Sequence, residues 1–315
     1  MAPIPKLTTS TMRAIQSAIE ENQGNEWESV GVPAGDIGVE CDRAIFLAFR
    51  RASVPETITW RKRRIFERGN IEEERLIGLL ELSGFTVSDQ QARVRGAGGH
   101  LRGKIDGQVI GLPESGQIHV VECKSSNAEK FRKLVKEKVQ KAMPLHYATM
   151  QFYMHKRGLD RCLYICSNKD DEDIYTERVY LDVEAAMRAE SRIERIIASP
   201  EPPSRLCTKR DDFRGMFCRQ ADVCWGEKMP RSHCRSCIHS TPLMDGNAGW
   251  DCARWSKPLS LDEQAAGCPA HLYIPKMLAG MEQIDCSEED ETITYRRADG
   301  SIWRDGASTN EATTA

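Results

Sequence analysis

The spacing of apolar residues along the chain changes between the period of a helix and the alternation of a strand. The first spacing predicts helices and the second predicts strands. The predicted helices span 10–23, 31–53, 60–84 with a break at Gly69, 127–143, 145–157 and 183–199, and the predicted strands span 85–95, 101–110, 117–124, 161–168 and 173–182. Strands that alternate with helices in this way predict an α/β protein.

A proline-rich stretch, PEPPSRL at 200–206, is predicted to be a linker. Before it, residues 1–199 are predicted to form a core with N-terminal helices. After it, residues 207–275 are predicted to form a cysteine-rich metal-binding module, and residues 276–315 a hairpin with a flexible tail. The hairpin is predicted from the turn residues Asp299 and Gly300. We expect the chain to be disordered after Gly306.

Composition excludes several classes of protein. The 315 residues are 40% hydrophobic and 29% charged, which is typical of a soluble globular protein. No apolar run approaches the ~20 residues that span a bilayer, and the N-terminus lacks the apolar core of a signal peptide. We therefore expect a cytoplasmic protein with no membrane partner. The net charge of −3 gives no overall signal for nucleic acid, so any such binding has to come from a local patch.

Two acids and a lysine interrupt an otherwise apolar pair of predicted strands. The sequence GKIDGQVIGLPESGQIHVVECKSS places Asp106 in the first strand and Glu122 and Lys124 in the second. The turn GLPESG centres the pairing near Glu114, so position 106 faces position 122. Opposed side chains of antiparallel strands lie about 5 Å apart, and residues two apart share a face. The three polar groups are therefore predicted to converge on one side of the sheet.

This pattern has a simple explanation and a chemical one. In a salt-bridged surface hairpin, Glu122 and Lys124 would be incidental charges. An apolar strand leads up to Glu122, however, which places this acid near the core, where a buried carboxylate needs a partner. Two close carboxylates repel each other unless a cation lies between them, and oxygen ligands suit Mg²⁺ or Mn²⁺. We therefore expect a divalent metal ion at Asp106 and Glu122, beside which Lys124 could polarise a water molecule or a phosphate.

These segments resemble the PD-(D/E)XK nuclease superfamily, in particular its RecB-like branch. The matching pieces are HLRGKIDG with Asp106, VVECKSS with Glu122 and Lys124, and PLHYATMQFYM at 144–154. Residues 31–198 are most similar to phage recombination nucleases related to lambda exonuclease and to CRISPR-associated RecB-like nucleases. The resemblance implies a restriction-endonuclease-like core, in which a mixed sheet is flanked by helices.

The resemblance also implies a set of metal ligands. In this sequence the implied ligands are Glu73, Asp106, Glu122 and the backbone carbonyl of Cys123. The segment RGNIEEERL supplies Glu73, for which Glu72 or Glu74 could substitute.

Three further residues have implied roles at the same site. Lys124 would orient or activate water, and Gln151 and Tyr153 match a glutamine/tyrosine motif that positions DNA and the site. The usual spacing of that motif would place the glutamine at 149, where this chain has threonine.

The implied activity is metal-dependent hydrolysis of DNA that leaves a 5′-phosphate. The implied partners are DNA and a single-strand annealing or binding protein, in the bacterial cytoplasm if the chain is phage-encoded.

A basic helix follows the second strand of the hairpin. Its candidate phosphate-binding residues are Lys130, Arg132, Lys133 and Lys136. WRKRR at 60–64 is a second, weaker candidate. The alternative for both is a solvated helix face.

The cysteine-rich part contains a candidate zinc site. The predicted ligands are Cys234, Cys237, Cys252 and Cys268, with His271 competing for the last place. A Cys-x-x-Cys pair together with two further soft ligands suits tetrahedral Zn²⁺. A short, loop-rich segment also has few other means of holding its shape. The alternative is a set of reduced structural thiols.

A second set of cysteines has a family precedent. Several RecB-like nucleases hold an iron–sulfur cluster with one cysteine before the core and three after it, the last three spaced Cys-x2-Cys-x5-Cys. The matching residues here are Cys41, Cys218 and Cys224, whereas position 215 is glycine and Cys207 could replace the missing ligand. The alternative is that the cluster has been lost.

Three functions remain open from the sequence. The first is a phage-type exonuclease in recombination or replication, and the second is a structure-specific or restriction-type endonuclease. The third is a non-catalytic DNA-binding or assembly protein. The presence of Asp106, Glu122 and Lys124 argues against the third, because a non-catalytic domain has no need to keep two like charges opposed.

Overall fold

The structure is a computed structural model that describes residues 9–21 and 30–306. Its α-helices are α1 (Ser10–Glu21), α2 (Asp42–Phe49), α3 (Trp60–Leu82), α4 (Ala128–Ala142), α5 (Pro144–Arg157), α6 (Val183–Ala198), α7 (Ala221–Cys224) and α8 (Leu261–Ala266). Its strands up to residue 180 are β1 (Val32–Pro33), β2 (Thr86–Ser88), β3 (Arg93–Gly96), β4 (Leu101–Lys104), β5 (Gly107–Ile110), β6 (His119–Ser126), β7 (Arg161–Asn168) and β8 (Ile174–Tyr180). The later strands are β9 (Ser240–Pro242), β10 (Trp250–Cys252), β11 (Lys257–Pro258), β12 (Met281–Ser287), β13 (Thr292–Arg297) and β14 (Ile302–Asp305).

The central sheet has five strands in the order β2-β5-β6-β7-β8. β6 and β7 are parallel, and the other neighbours are antiparallel. A smaller sheet, β1-β4-β3, combines a parallel and an antiparallel pair. The predicted α/β class with a mixed sheet is therefore confirmed.

Helices cover both faces of the central sheet. Side chains of α3 pack on one face, in a cluster formed by Leu76, Ile77, Leu80, Val109, Val121, Cys123, Leu163 and Ile165. The other face carries Val120, Cys162 and Tyr164, which belong to a larger cluster shared with α4, α5 and α6. Because alternate residues of β6 point to opposite faces, Val121 and Cys123 face α3 whereas Glu122 and Lys124 face the other side.

Two predicted helices differ from the structure. α3 runs without a break through Gly69, because a single interior glycine costs only about 1 kcal/mol. The predicted helix at 31–53 is reduced to α2, and β1 precedes it. Val32 donates its N–H to the carbonyl of His100 (2.8 Å), and a Cβ at Gly31 would lie 2.1 Å from that same oxygen. Pairing of β1 with β4 therefore replaces helix at this point.

Two predicted strands are each divided between two sheets. The prediction at 85–95 corresponds to β2 in the central sheet and β3 in the smaller one. The prediction at 101–110 likewise corresponds to β4 and β5, so Asp106 lies at the junction rather than within a strand. The apolar alternation continues through Ile105, which is buried, and so it gave no signal of this break.

The cysteine-rich part packs directly on the core. Trp250 stacks on Phe49 with ring centroids 5.2 Å apart, and the guanidinium groups of Arg50 and Arg235 each lie 5.0 Å from the Trp250 ring. Arg235 also donates to the carbonyl of Phe49 (3.2 Å). Residues on both sides of the predicted linker thus share one hydrophobic cluster. The stretch 200–206 does not separate two cores.

The C-terminal part forms an antiparallel sheet, β12-β13-β14. Its second hairpin has the turn expected at Asp299 and Gly300, where Gly300 adopts a left-handed φ of 84°. β12 adds a third strand that the sequence analysis did not predict. The predicted tail after Gly306 lies outside the described residues.

His100 connects the core to the cysteine-rich part and provides a pH-dependent contact. Its Nε2 donates to the carbonyl of Leu243 (2.9 Å), and its ring packs edge-on against Phe49 and Trp250. Burial lowers the pKa of His100 to about 4. The unfolded chain binds this proton near pH 6.5, so the contribution of His100 to stability is present above that pH and is lost as the pH falls towards 4.

We therefore expect the protein to lose about 2–3 kcal/mol of stability through His100 between pH 6.5 and pH 4. His100→Gln should reduce the difference in melting temperature between about pH 7.5 and about pH 5, measured by tryptophan fluorescence. His155→Gln, on the surface of α5, is the control and should keep the wild-type difference. An unchanged pH dependence in His100→Gln would show that other groups dominate acid unfolding.

Residues 9–21 and 30–306 contain no helix with the length and apolar character that crossing a bilayer requires.

Candidate active site

The predicted register of the acidic hairpin is confirmed. Gly107 pairs with Val121 and Gln108 pairs with Val120, which is the register predicted from the turn, and Asp106 comes directly before the first of these pairs. The N–H of Cys123 donates to Asp106 Oδ2 (2.7 Å), which fixes this carboxylate at the point where β5 begins. The loop between the two strands is closed by a bridge between Leu112 and Ser115.

Lys124 lies between the two acids. Its Nζ is 2.5 Å from Glu122 Oε1 and 3.9 Å from Asp106 Oδ2. The same ammonium donates to the carbonyl of Cys123 (2.9 Å). The Glu122 side chain is 5% exposed, whereas that of Lys124 is 32% exposed, so the site has a buried acid below and a cation that reaches solvent.

Burial dominates the electrostatics of the site. It raises the pKa of Glu122 to about 7, with Lys124 opposing and Asp106 adding to this shift. Burial also raises the pKa of Asp106. For Lys124, burial acts to lower the pKa, but the carboxylates of Glu122 and Asp106 outweigh it, so the pKa is raised. Lys124 therefore stays an ammonium, whereas the two buried carboxylates resist ionisation. A further cation beside the carboxylates would stabilise their ionised form.

Glu73 and Tyr153 border this group. Burial and then the charge of Asp106 raise the pKa of Glu73, whose carboxylate accepts from Gln91 Nε2 (2.6 Å). Burial and then Glu122 raise the pKa of Tyr153. Glu72 instead pairs with Arg75 (3.5 Å), and Glu74 is exposed.

The structure does not bring Gln151 to this group. Its Nε2 donates to the carbonyl of Tyr180 (3.0 Å), and its Oε1 accepts from the N–H of Asp182 (2.7 Å). Both ends of the buried amide therefore hold the junction of β8 and α6. Thr149, at the usual position of the motif, donates to the carbonyl of Leu145.

His146 is a neighbour of the site that the sequence analysis did not identify. Burial, followed by the charges of Lys124 and Lys130, lowers its pKa to about 4. Its Nδ1 is 3.0 Å from the hydroxyl of Tyr164. His146 is thus a neutral imidazole near Lys124 at physiological pH.

A single residue, Asn127, separates the end of β6 from the start of the predicted basic helix, α4. Asn127 caps α4 by accepting from the N–H of Lys130 (3.0 Å). All four candidate phosphate-binding residues, Lys130, Arg132, Lys133 and Lys136, are exposed. In the second candidate, WRKRR at 60–64, the guanidinium groups of Arg61 and Arg64 lie 5.4 and 5.9 Å from the Trp60 ring.

The four predicted zinc ligands line one cavity of about 200 Å³. Burial, followed by the thiols of Cys268, Cys237 and Cys252, raises the pKa of Cys234 to about 11. His271 does not line this cavity, and its Nε2 is 3.1 Å from the hydroxyl of Ser236. The structure therefore groups Cys268, rather than His271, with the other three thiols.

The second set of cysteines, Cys41, Cys207, Cys218 and Cys224, also lies close together. Burial raises the pKa of Cys218, and smaller contributions come from the thiols of Cys41, Cys224 and Cys207. A Cβ built on Gly215 would lie 3.0 Å from Cys207 Sγ. The sulfur of Cys207 therefore fills the space that a side chain at 215 would need.

All twelve cysteines are free thiols. Across the described residues, no group of three or more His, Cys, Asp or Glu side chains is already arranged to hold a metal ion. At the acidic hairpin this agrees with the position of Lys124, which itself occupies the carboxylate of Glu122 and the carbonyl of Cys123.

Comparison with known proteins gave similarity to solved structures. No protein-family model and no curated protein matches the sequence. The alkaline exonuclease LHK-Exo from Laribacter hongkongensis is 15% identical with a TM-score of 0.39, covering 59% of this chain and 91% of that one. LHK-Exo in complex with dAMP is 16% identical with a TM-score of 0.35, covering 54% and 88%. SSO0001 is 14% identical with a TM-score of 0.39, covering 68% and 95%. Alkaline exonucleases are thus among the structures that this chain resembles, at a similarity too low to identify its activity.

Proposed function

We propose that this protein is a metal-dependent DNA nuclease, of the exonuclease type that acts in phage recombination or replication. The observation that carries the proposal is the convergence of Asp106, Glu122 and Lys124 where β5 and β6 begin to pair. A purely structural salt bridge would need one acid. Here a second carboxylate is kept beside the first at a buried position, where like charges raise each other's pKa.

The residues present fit a divalent metal ion of the Mg²⁺ type. Their donors are all oxygen atoms: the carboxylates of Asp106 and Glu122, the carbonyl of Cys123 and, at the border, the carboxylate of Glu73. A bound Mg²⁺ or Mn²⁺ would supply charge neutralisation and Lewis-acid polarisation at the phosphate. Lys124 would have to give up its contact with Glu122 when the ion binds.

The remaining steps use side chains of this chain. Lys124, once released from Glu122, can hold an attacking water or donate to a phosphate oxygen, because its ammonium already reaches solvent. The water oxygen forms a bond to phosphorus while the bond from phosphorus to the 3′ oxygen breaks. The leaving oxygen takes up a proton, so the products are a 5′-phosphate and a 3′-hydroxyl. The exposed lysines of α4 would bind neighbouring phosphates.

Digestion of linear and closed-circular DNA side by side, with Mg²⁺ or Mn²⁺ and end-labelled strands, tests the proposed function. An exonuclease degrades only the linear form and releases labelled 5′-mononucleotides. Cleavage of the circle would instead support the endonuclease alternative. Failure to cleave either form with both metals would contradict the proposal and favour a non-catalytic DNA-binding or assembly protein.

We also propose that the cysteine-rich part binds one zinc ion through Cys234, Cys237, Cys252 and Cys268. The shared cavity of these four thiols supports this assignment, and the side chains would have to rearrange to complete tetrahedral coordination.

The zinc proposal predicts about one zinc per chain in elemental analysis of the purified protein. Cys252→Ser should lose the metal, whereas the exposed thiol in Cys286→Ser can be removed without loss. A Cys252→Ser protein with full zinc content would remove this residue from the site.

For the second set, we propose an iron–sulfur cluster held by Cys41, Cys207, Cys218 and Cys224. This proposal predicts a brown protein with absorbance near about 400 nm. Cys207→Ala should lose the colour, and Cys207→Ala/Gly215→Cys should regain it, because the new thiol occupies the space that Cys207 leaves. Anaerobically purified wild-type protein that contains neither iron nor sulfide would contradict the proposal.

A further inference from the structure

A cluster of positive charge lies on the hairpin of β3 and β4, immediately before Asp106. Arg93 is opposite Lys104, and Arg95 is opposite Arg102, across this antiparallel pair. Arg102 is half-buried and the other three are exposed. We call these four residues the basic ribbon. The basic ribbon is distinct from the lysines of α4, and the sequence analysis did not identify it.

The basic ribbon is unfavourable in the isolated protein. Like charges directly opposite each other on neighbouring strands repel. Burial lowers the pKa of Arg102, and the guanidinium groups of Arg95 and Arg93 lower it further. Among residues 9–21 and 30–306, no carboxylate forms an ion pair with any member of the basic ribbon. The missing negative charge is therefore expected from a ligand.

The hairpin that carries the basic ribbon is firmly held. Its opposite face buries Val94, Leu101 and Ile105 in the core. Arg102 Nε donates to the carbonyl of Gly99 (2.9 Å), which fixes the direction of that side chain. The charges are thus presented on a rigid surface, which lowers the entropy cost of binding an extended anion.

The basic ribbon is joined to the active site through its last residue. Lys104 lies two residues before Asp106, so their Cα atoms are at most about 7 Å apart. Tyr153, which borders the site, forms a hydrogen bond with the backbone of Lys104. A Cβ at Gly103 would lie 2.3 Å from the Tyr153 hydroxyl, so the glycine permits this contact. Gly103 lies on the buried face of the hairpin, so Tyr153 anchors the strand of the basic ribbon from the core side, just before Asp106.

The spacing of the charges suits a nucleic-acid backbone. Residues two apart on a strand are separated by about 6.6 Å, as are Arg93 and Arg95. Successive phosphates of one DNA strand rise by about 3.4 Å along the duplex axis and also turn about it, so their separation in space exceeds this rise and is comparable to that of Arg93 and Arg95. Guanidinium groups also bind phosphate through two parallel hydrogen bonds.

We propose that the basic ribbon binds the phosphate backbone of DNA and directs it to the Asp106–Glu122–Lys124 site. This inference rests on the proposed nuclease function and assigns the path by which its substrate arrives. Arg93 and Arg95 are positioning residues, because they hold phosphates away from the reacting bond.

The test compares two proteins that have lost the same charge. In Arg93→Gln/Arg95→Gln the change is confined to exposed side chains of β3. The control is Arg188→Gln/Arg296→Gln, which removes two exposed arginines, on α6 and β13, that each pair with a glutamate. Binding of a fluorescent duplex of about 20 base pairs is followed by anisotropy, with Ca²⁺ in place of Mg²⁺, from about 50 to about 200 mM KCl.

We expect the ribbon variant to bind about tenfold more weakly at 100 mM KCl and to lower the salt slope of log K by about 1.8. Lys104→Gln alone should lower the slope by about 0.9. The control should keep the wild-type slope, and circular dichroism establishes that each variant is folded. Equal slopes for the ribbon variant and the control would overturn the inference.

The outcomes separate this inference from the proposed function. If the wild-type protein binds DNA through the basic ribbon and cleaves nothing, the result supports the DNA-binding role of the ribbon and contradicts the nuclease assignment. If the wild-type protein cleaves DNA and the ribbon variant keeps the wild-type salt slope of log K, the result supports the nuclease assignment and contradicts the role of the ribbon. A wild-type protein that does not bind DNA at all contradicts both.

Discussion

Lys124→Ala is expected to lower the rate of DNA cleavage by about 10³-fold or more while leaving DNA binding nearly intact. The ammonium lies between Asp106 and Glu122, and its removal takes away the group that would hold water or phosphate. The variant should also bind Mn²⁺ more tightly than the wild-type protein, because Lys124 no longer competes for the carboxylate of Glu122. Single-turnover cleavage and Mn²⁺ titration calorimetry measure these two effects separately.

A matched control is Lys276→Ala, which removes an exposed lysine that pairs with Glu201. It should keep wild-type cleavage and Mn²⁺ affinity. Cleavage by Lys124→Ala at the wild-type rate would remove this lysine from the mechanism.

Asp106→Asn is expected to weaken metal binding and, with it, to lower the rate of cleavage, again by about 10³-fold or more. The amide oxygen can still accept from the N–H of Cys123, so the hairpin should keep its register. What is lost is one of the two negative charges that attract the ion. The same titration should therefore show weaker Mn²⁺ binding, the opposite of the effect of Lys124→Ala.

The opposite changes in Mn²⁺ affinity that we expect for these two variants test the role of Lys124 more directly than either change alone. Asp290→Asn, in the exposed turn between β12 and β13, controls for the loss of a carboxylate. If Asp106→Asn and Lys124→Ala changed Mn²⁺ affinity in the same direction, Lys124 would not be acting as a competing cation.

The hairpin could be predicted because its information is local. The turn residues between Ile110 and His119 fix which positions face each other, and the apolar run up to Glu122 indicates burial. The break at Asp106 could not be predicted in the same way. β4 leaves for a second sheet because it pairs with β3 and β1, and the pairing with β1 joins distant parts of the chain.

The glutamine/tyrosine motif on α5 shows how much the spacing of a motif can predict. The motif indicated a helix, and α5 places Tyr153 at the border of the acidic group. It did not indicate that Gln151 would instead hold backbone groups at Tyr180 and Asp182, since that depends on how α5 packs on α6. His146 was missed because a single histidine in an amphipathic helix has no distinguishing pattern.

The basic ribbon did have a sequence signal. RVR and LRGK place cations at every second position in two successive predicted strands. Read with the period of a strand, each set lies on one face. That the two sets face each other required the register of β3 and β4.

The contact of Trp250 with Phe49, Arg50 and Arg235 has a practical consequence for anyone who shortens this protein. A fragment ending at residue 206 would expose Phe49 and His100, and also Arg50, whose guanidinium group Trp250 covers. We expect this fragment to precipitate rather than to fold as an independent unit. If the cysteine-rich part binds the proposed zinc ion, loss of that ion would also loosen the stacking of Trp250 on Phe49. Zinc content and the proposed nuclease activity would then decline together, even though the two proposed metal sites share no ligand.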